Sequence, residues 1–249
     1  MHQPVYIKMT ERPILFSAPM VRALMAGTKT QTRRAMKPQP TEDFRPLAVG
    51  WYTPATYDRH GEMVEGKDIF GVYGDEEGYK CPYGAPGDRL WVRESLKYIT
   101  SDPVTGEEDS PMHCYAASIP PGKSSANPYE PNYLFADDGE PHLPSRSVPS
   151  IHMPRWASRL DLEITRVRVE RLQDISEADA IAEGLPYSKR WEGHGDEEGR
   201  YFHCTDPRRS YEQLWEHING EGSWDGNPWV WVLEFKPISC NTERNGHAD

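Results

Sequence analysis

The 249-residue chain contains no apolar run near the roughly 20 residues that a membrane-spanning helix needs, so no such helix and no membrane partner are expected. Its opening residues, MHQPVYIKMTERP, lack the apolar stretch of a secretory signal. Cysteine is scarce: Cys81, Cys114, Cys204 and Cys240 are widely spaced. That excludes a disulfide-stapled scaffold and fits free thiols in a cytoplasmic protein. No CxxC or HxxxH pair is present, so Cys81, His113-Cys114 and His203-Cys204 lack metal-ligand spacing and no metal site is expected. GxSxG, a P-loop and a GxGxxG opening a helix are also missing, and no cofactor is expected. No internal repeat occurs. Basic residues are the minority, 28 against 39 acids, for a net charge of −11. A uniformly basic nucleic-acid coat is thereby excluded, whereas a local basic patch is not.

What the chain does have is aromatic residues and turn formers. Eight Trp, thirteen Tyr and six Phe argue for a packed core rather than disorder. Twenty-three Pro and twenty Gly place much of the chain in loops and turns. Charge is uneven. Residues 8–37 hold seven cations against Glu11, and residues 146–171 hold six arginines against three acids. The acids collect in runs such as DEEG and DDGE among Gly, Pro and Ser, as solvated loops do.

Short elements are legible between the loops. Residues 17–27 predict a helix with Ser17 at the N-cap, Pro in the first turn and Gly27 just past the end. Residues 90–94 alternate as a strand, after a Pro86-Gly-Asp88 turn. Residues 160–172 alternate and then change phase near Val167, which predicts a bulge. Ser176 opens a short helix closed by Gly184, and Asp206-Pro207 opens a longer one with Tyr211, Leu214, Trp215 and Ile218 on one face. A last strand carries Trp229 and Trp231 on one core face and is expected to stop at Pro237. Residues 38–86, 101–149 and 186–205 read as long irregular insertions, and residues 239–249 as a flexible tail. Short strands without a βαβ rhythm predict a single α+β domain over residues 1–249, built on a small barrel with flanking short helices.

One polar cluster stands out, Gly27-Thr-Lys-Thr-Gln-Thr-Arg-Arg34, directly after the first helix. A hydroxyl near a lysine can act as nucleophile and base, provided burial or a neighbouring cation keeps the amine largely neutral. Arg33 and Arg34 supply cations. In a regular strand, positions 29 and 32 face opposite ways, so cooperation between Lys29 and Thr32 requires a turn. A basic surface loop with solvated threonines is the plainer reading of the same residues. Trp156, set among arginines in PSIHMPRWASRL, is a candidate stacking residue. Glu183, taken alone, is a solvated acid at a helix end.

With these residues in view, the chain resembles the ASCH family, a branch of the PUA-like superfamily of small β-barrels. The resemblance rests on a helix followed by Gly-x-Lys-x-x-Thr-x-Arg, here Gly27, Lys29, Thr32 and Arg34. It continues through the Pro86-Gly-Asp88 turn, the acid-bearing helix before Gly184 and the aromatic strand ending at Glu234-Phe235. The phrases CPYGAPGDRLWVRE and NPWVWVLEF are similar to a larger ASCH subgroup found in bacterial and phage genomes. A compact member similar in these motifs removes the acetyl group from N4-acetylcytidine. The resemblance thus implies an N4-acylcytidine amidohydrolase without metal, with Lys29, Thr32 and Glu183 as catalytic residues. Arg34 is a candidate oxyanion donor, and Ser17, Arg93, Glu94, His152 and Trp156 are candidate substrate contacts. The expected partner is a small nucleoside. An RNA or modified-base binding module and an ASCH-type ribonuclease are the alternatives, and both would engage nucleic acid. The insertions make this chain longer than the compact enzymes and can reshape the pocket.

Overall fold

The computed structural model describes residues 9–99, 112–115, 146–185, 187–188, 193–194 and 206–240. Its elements run in the order β1 (Glu11–Leu15), α1 (Ala18–Met25), β2 (Gln31–Ala35), β3 (Ala48–Tyr52), β4 (Ala55–Tyr57), β5 (Met63–Glu65), β6 (Ile69–Tyr73), β7 (Gly78–Lys80) and β8 (Arg89–Arg93). There follow β9 (Leu96–Ile99), β10 (Met112–Tyr115), β11 (Arg146–Val148), β12 (Leu160–Arg171), α2 (Glu177–Ala182), β13 (Tyr187–Ser188), β14 (Gly193–His194), α3 (Pro207–Asn219) and β15 (Trp229–Cys240). The protein is α+β, with strands predominating. No helix among the described residues is long and apolar enough to cross a membrane.

Five strands form the central sheet in the order β1-β8-β12-β15-β2. Only β1 and β8 run parallel; the other neighbours are antiparallel. Among the described residues the sheet is open, with β1 and β2 as its edges. One apolar core, including Val21, Leu24, Leu90, Leu162 and Trp231, packs α1 against the sheet. A second, including Tyr211, Trp215, Trp224 and Val232, packs α3.

The expected bulge in residues 160–172 is present. Register shifts between Asp161 and Leu162, and between Ile164 and Arg166, let β12 bend while staying paired with β15. Gly87 has φ of +92°, and the buried Asp88 carboxylate ties its turn together by accepting from Thr10 N at 2.8 Å and Ala85 N at 3.0 Å.

Two expectations are corrected. Residues 38–86 are not irregular but fold into a three-stranded sheet, β3-β6-β7, and a β4-β5 hairpin. Strand segments β9, β10 and β11 likewise pair within residues 96–148, and β13 with β14 within 186–205; the rest of those two stretches lies outside the described residues. Nor does Pro237 stop the last strand, which continues to Cys240 and pairs it with Leu160. Pro237 sits at the register shift and beyond the end of pairing with β2, so its missing N–H breaks no ladder there. The expected tail therefore loses its first two residues to β15, and residues 241–249 lie outside the described residues.

Candidate active site

Two helix ends meet at Lys29. Helix α1 closes with a Schellman turn: Gly27 at φ +72° lets Thr28 N reach Ala23 O at 2.9 Å and Gly27 N reach Leu24 O at 3.1 Å. Helix α2 begins where Ser176 Oγ accepts from Asp179 N at 3.1 Å, and ends at Glu183 with Gly184 at φ +92°. Between the two ends, Lys29 and Glu183 form an isolated antiparallel bridge, and Thr30 N donates to Ala182 O at 2.9 Å. Gly184 fits because a Cβ there would lie 3.0 Å from both the Ala23 and Lys29 Cβ atoms. Strand β2 then alternates: Gln31 and Arg33 reach acids and carbonyls of α2 and β12, while Arg34 reaches β1. That parity puts Thr32 on the side of Arg34.

A buried charge cluster follows from this placement. Lys29 Nζ lies 2.9 Å from Glu183 Oε2 and donates also to the Glu183 carbonyl at 2.8 Å. The lysine side chain is 0% exposed and that of Glu183 is 4%. Burial is the largest influence on the amine and holds its pKa below the ordinary lysine value of 10.5, with Glu183 opposing and Arg34 and Arg33 assisting. Arg33, also fully buried, binds Glu170 Oε2 and Asp179 Oδ2 at 3.0 Å each and reaches Glu183 Oε1 at 3.5 Å. Burial alone would lower its pKa, but Glu183, Tyr211, Glu170 and Asp179 together raise it. Arg168 adds contacts to Glu170, to Asp179 at 3.4 Å and to Glu234 at 3.1 Å. Burial would likewise raise the Asp179 carboxyl; Arg33 and Arg168 reverse this and hold it below 3.8. Burial, then the Glu183 charge, keeps the Tyr211 phenol protonated well above 10.

A cavity of about 380 Å³ opens onto this cluster. Thr32, Arg34, Glu183 and Ser17 line it, so four of the candidate catalytic and substrate-contact residues converge, with Arg33 beside them. Lys29 sits behind that wall, its Nζ 5.6 Å from the Phe16 ring centroid, and no hydrogen bond joins it to Thr32. Ser17 occupies the N-cap position of α1, yet its hydroxyl makes no capping bond. Pro19, at the second helical position, lacks one of the two N–H groups a cap would engage. Arg34 donates to Leu15 O at 2.5 Å and lies 5.3 Å from the Phe16 ring, while its buried Nε has no partner.

The other candidates sit elsewhere. Glu94 is buried and bound by Arg159 at 2.8 and 3.0 Å. Arg93 donates to Met153 O at 3.0 Å and lies 5.0 Å from the Trp91 ring centroid. His152 and Trp156 are exposed and do not line the cavity. Ser95, Ser150 and the α3 face of Tyr211, Leu214, Trp215 and Ile218 line it instead. The helical spacing of that face was visible in the sequence, but nothing there tied it to the site; Tyr211 and Trp215 are buried and Ile218 is 54% exposed.

Comparison with protein-family models, curated proteins and solved structures finds no match. The chemical reading therefore rests on the cavity itself. It presents a hydroxyl, a carboxylate backed by a desolvated amine, an arginine with an unpartnered Nε and an apolar wall. Such a set suits acyl transfer to and from a neutral substrate.

Proposed function

We propose that this protein is an N4-acylcytidine amidohydrolase, built on the PUA-like barrel that the sequence resemblance implies. The observation that carries the reading is the buried Lys29–Glu183 pair, whose carboxylate joins Thr32 in the cavity wall with the lysine directly behind it. A lysine buried only for stability is a poor choice, because apolar residues of similar size serve as well or better. A desolvated lysine beside a cavity is what a proton acceptor requires. For the barrel, support comes from the Arg34 bond to Leu15, which ties the two edge strands of the open sheet together at the cavity.

In the proposed reaction Thr32 Oγ attacks the acyl carbonyl, and its proton passes through Glu183 to neutral Lys29. Arg34 stabilises the oxyanion. Collapse breaks the C–N bond, and Lys29 returns the proton to the leaving exocyclic nitrogen. Water then cleaves the acyl-threonine with the same base. The α3 face offers the apolar surface for the base or the acyl group. Against a phosphate-led reading, many arginines of the two basic segments are already engaged by acids: Arg33, Arg155, Arg159, Arg166 and Arg168 each have a carboxylate partner.

The test is hydrolysis of N4-acetylcytidine and N4-benzoylcytidine by chelator-treated protein, followed by the ultraviolet change on deacylation. Cytidine release is expected, with Lys29→Ala and Thr32→Ala each reducing turnover by about 10²-fold or more. Full activity in Thr32→Ala would replace the acyl-enzyme with direct attack by water. No release with either acyl group would overturn the proposal in favour of a modified-base reader.

A further inference from the structure

Within the cluster, one carboxylate faces two cations. Glu183 gives Oε2 to Lys29 at 2.9 Å and Oε1 to Arg33 at 3.5 Å, and all three side chains are almost or wholly out of water. A lysine whose only counter-charge is a buried carboxylate cannot readily lose its proton, because the carboxylate would be left alone. Here the carboxylate keeps a second cation. Arg33 cannot drift to follow it, because Glu170 from β12 and Asp179 from α2 hold the guanidinium at 3.0 Å each.

We infer that Arg33 is the positioning residue that keeps Glu183 ionised and in place when Lys29 is neutral, so that the lysine can cycle between amine and ammonium. This rests on reading Lys29 as the base of the proposed hydrolysis. The groups around the pair account for the local charge. Glu183 and Asp179 come from α2 and its end, Glu170 and Arg168 from β12, and Arg34 from β2. Tyr211 comes from α3, its phenol held protonated, and Phe16 presents only a ring. Glu234 of β15 engages Arg168. Lys29, Arg33, Arg34 and Arg168 thus stand with Glu183, Glu170, Asp179 and Glu234, four charges against four. Discharging Lys29 leaves Arg33 as the cation in contact with Glu183.

The experiment reads the lysine directly. In protein labelled at the lysine ζ-nitrogens, the Lys29 resonance, assigned by its loss in Lys29→Ala, is titrated by NMR beside the pH profile of hydrolysis. Arg33→Gln removes the cation and is expected to move the Lys29 midpoint, and with it the rising acid-side limb of kcat/KM, to higher pH by about one unit. Its rate near neutrality then falls by up to about tenfold and recovers at higher pH. Arg33→Lys keeps the charge and should keep the midpoint. Glu170→Gln, remote from the cavity wall, leaves Arg33 less neutralised and should move the midpoint to lower pH.

Arg33→Gln slowing the reaction equally at every pH, with the Lys29 titration unmoved, would overturn the inference. Should Arg33→Gln fail to fold, the direction of the Glu170→Gln shift decides: downward supports the assignment, unmoved or upward refutes it. If no acyl nucleoside is hydrolysed, the amidohydrolase reading falls, whereas the NMR titration still decides the role of Arg33.

Discussion

Asp179 binds Arg33 through one oxygen and Arg168 through the other, and its carbonyl accepts from Gln31 Nε2 at 2.8 Å. Replacing it with asparagine keeps the shape and removes the charge opposite a fully buried guanidinium. Asp179→Asn is expected to cost about 1–2 kcal/mol at neutral pH, less than for a fully buried pair because Asp179 is partly exposed. The sign with pH is fixed by its lowered pKa. The charge stabilises the fold fully above the unfolded value near 3.8 and is lost as pH falls through the lower folded value. The gap between wild type and Asp179→Asn in urea unfolding should therefore close in strong acid. At this scale the sequence was informative only where chemistry is local. Lys29 and Thr32 stand in one short motif with Arg34 beside them. Arg33 was legible as a nearby cation and no more, because its acids lie 137, 146 and 150 positions away. The charge of Glu94 is likewise matched at a distance the sequence does not show, by Arg159, 65 positions on.

The ends of α1 and α2 act as one joint, and Gly184 is its tightest point. Any side chain there would meet the Lys29 and Ala23 Cβ atoms at 3.0 Å in a backbone conformation of φ +92°. Gly184→Ala is expected to destabilise the fold by about 1–3 kcal/mol and to lower turnover beyond that loss, since relief of the clash shifts Lys29 against Glu183. Urea unfolding and steady-state kinetics on the same preparation separate the two effects. The helices were legible because caps and glycine stops are local signals. The strands of residues 38–86 were not. Gly50 and Gly71 sit directly opposite each other in β3 and β6, and a Cβ on Gly71 would lie 2.0 Å from Tyr79 O. Such glycines interrupt the apolar alternation by which a strand is recognised and read instead as turns.

On the scale of the whole molecule, a net charge of −11 coexists with arginines, among them Arg33, Arg155, Arg159 and Arg168, that are engaged by acids of the same chain. Turnover of a neutral nucleoside should therefore change less than about twofold between roughly 50 and 200 mM salt. Phosphate-led binding would weaken by orders of magnitude over that interval. A titration of kcat/KM against salt reads the difference. The charge balance was legible in composition, whereas the pairing that neutralises the arginines needed the fold. Sheet order has a further consequence, in time rather than space. Thr32 lies on β2, whose sheet neighbour among the described residues is β15, about 200 positions later. As the chain leaves the ribosome, the strand of the proposed nucleophile stays without that neighbour until β15 has followed it out. A nascent chain cut short before β15 would carry the complete Gly-x-Lys-x-x-Thr-x-Arg motif and no working pocket. Under the proposed reading, the reactivity of Thr32 thus waits on the synthesis of β15.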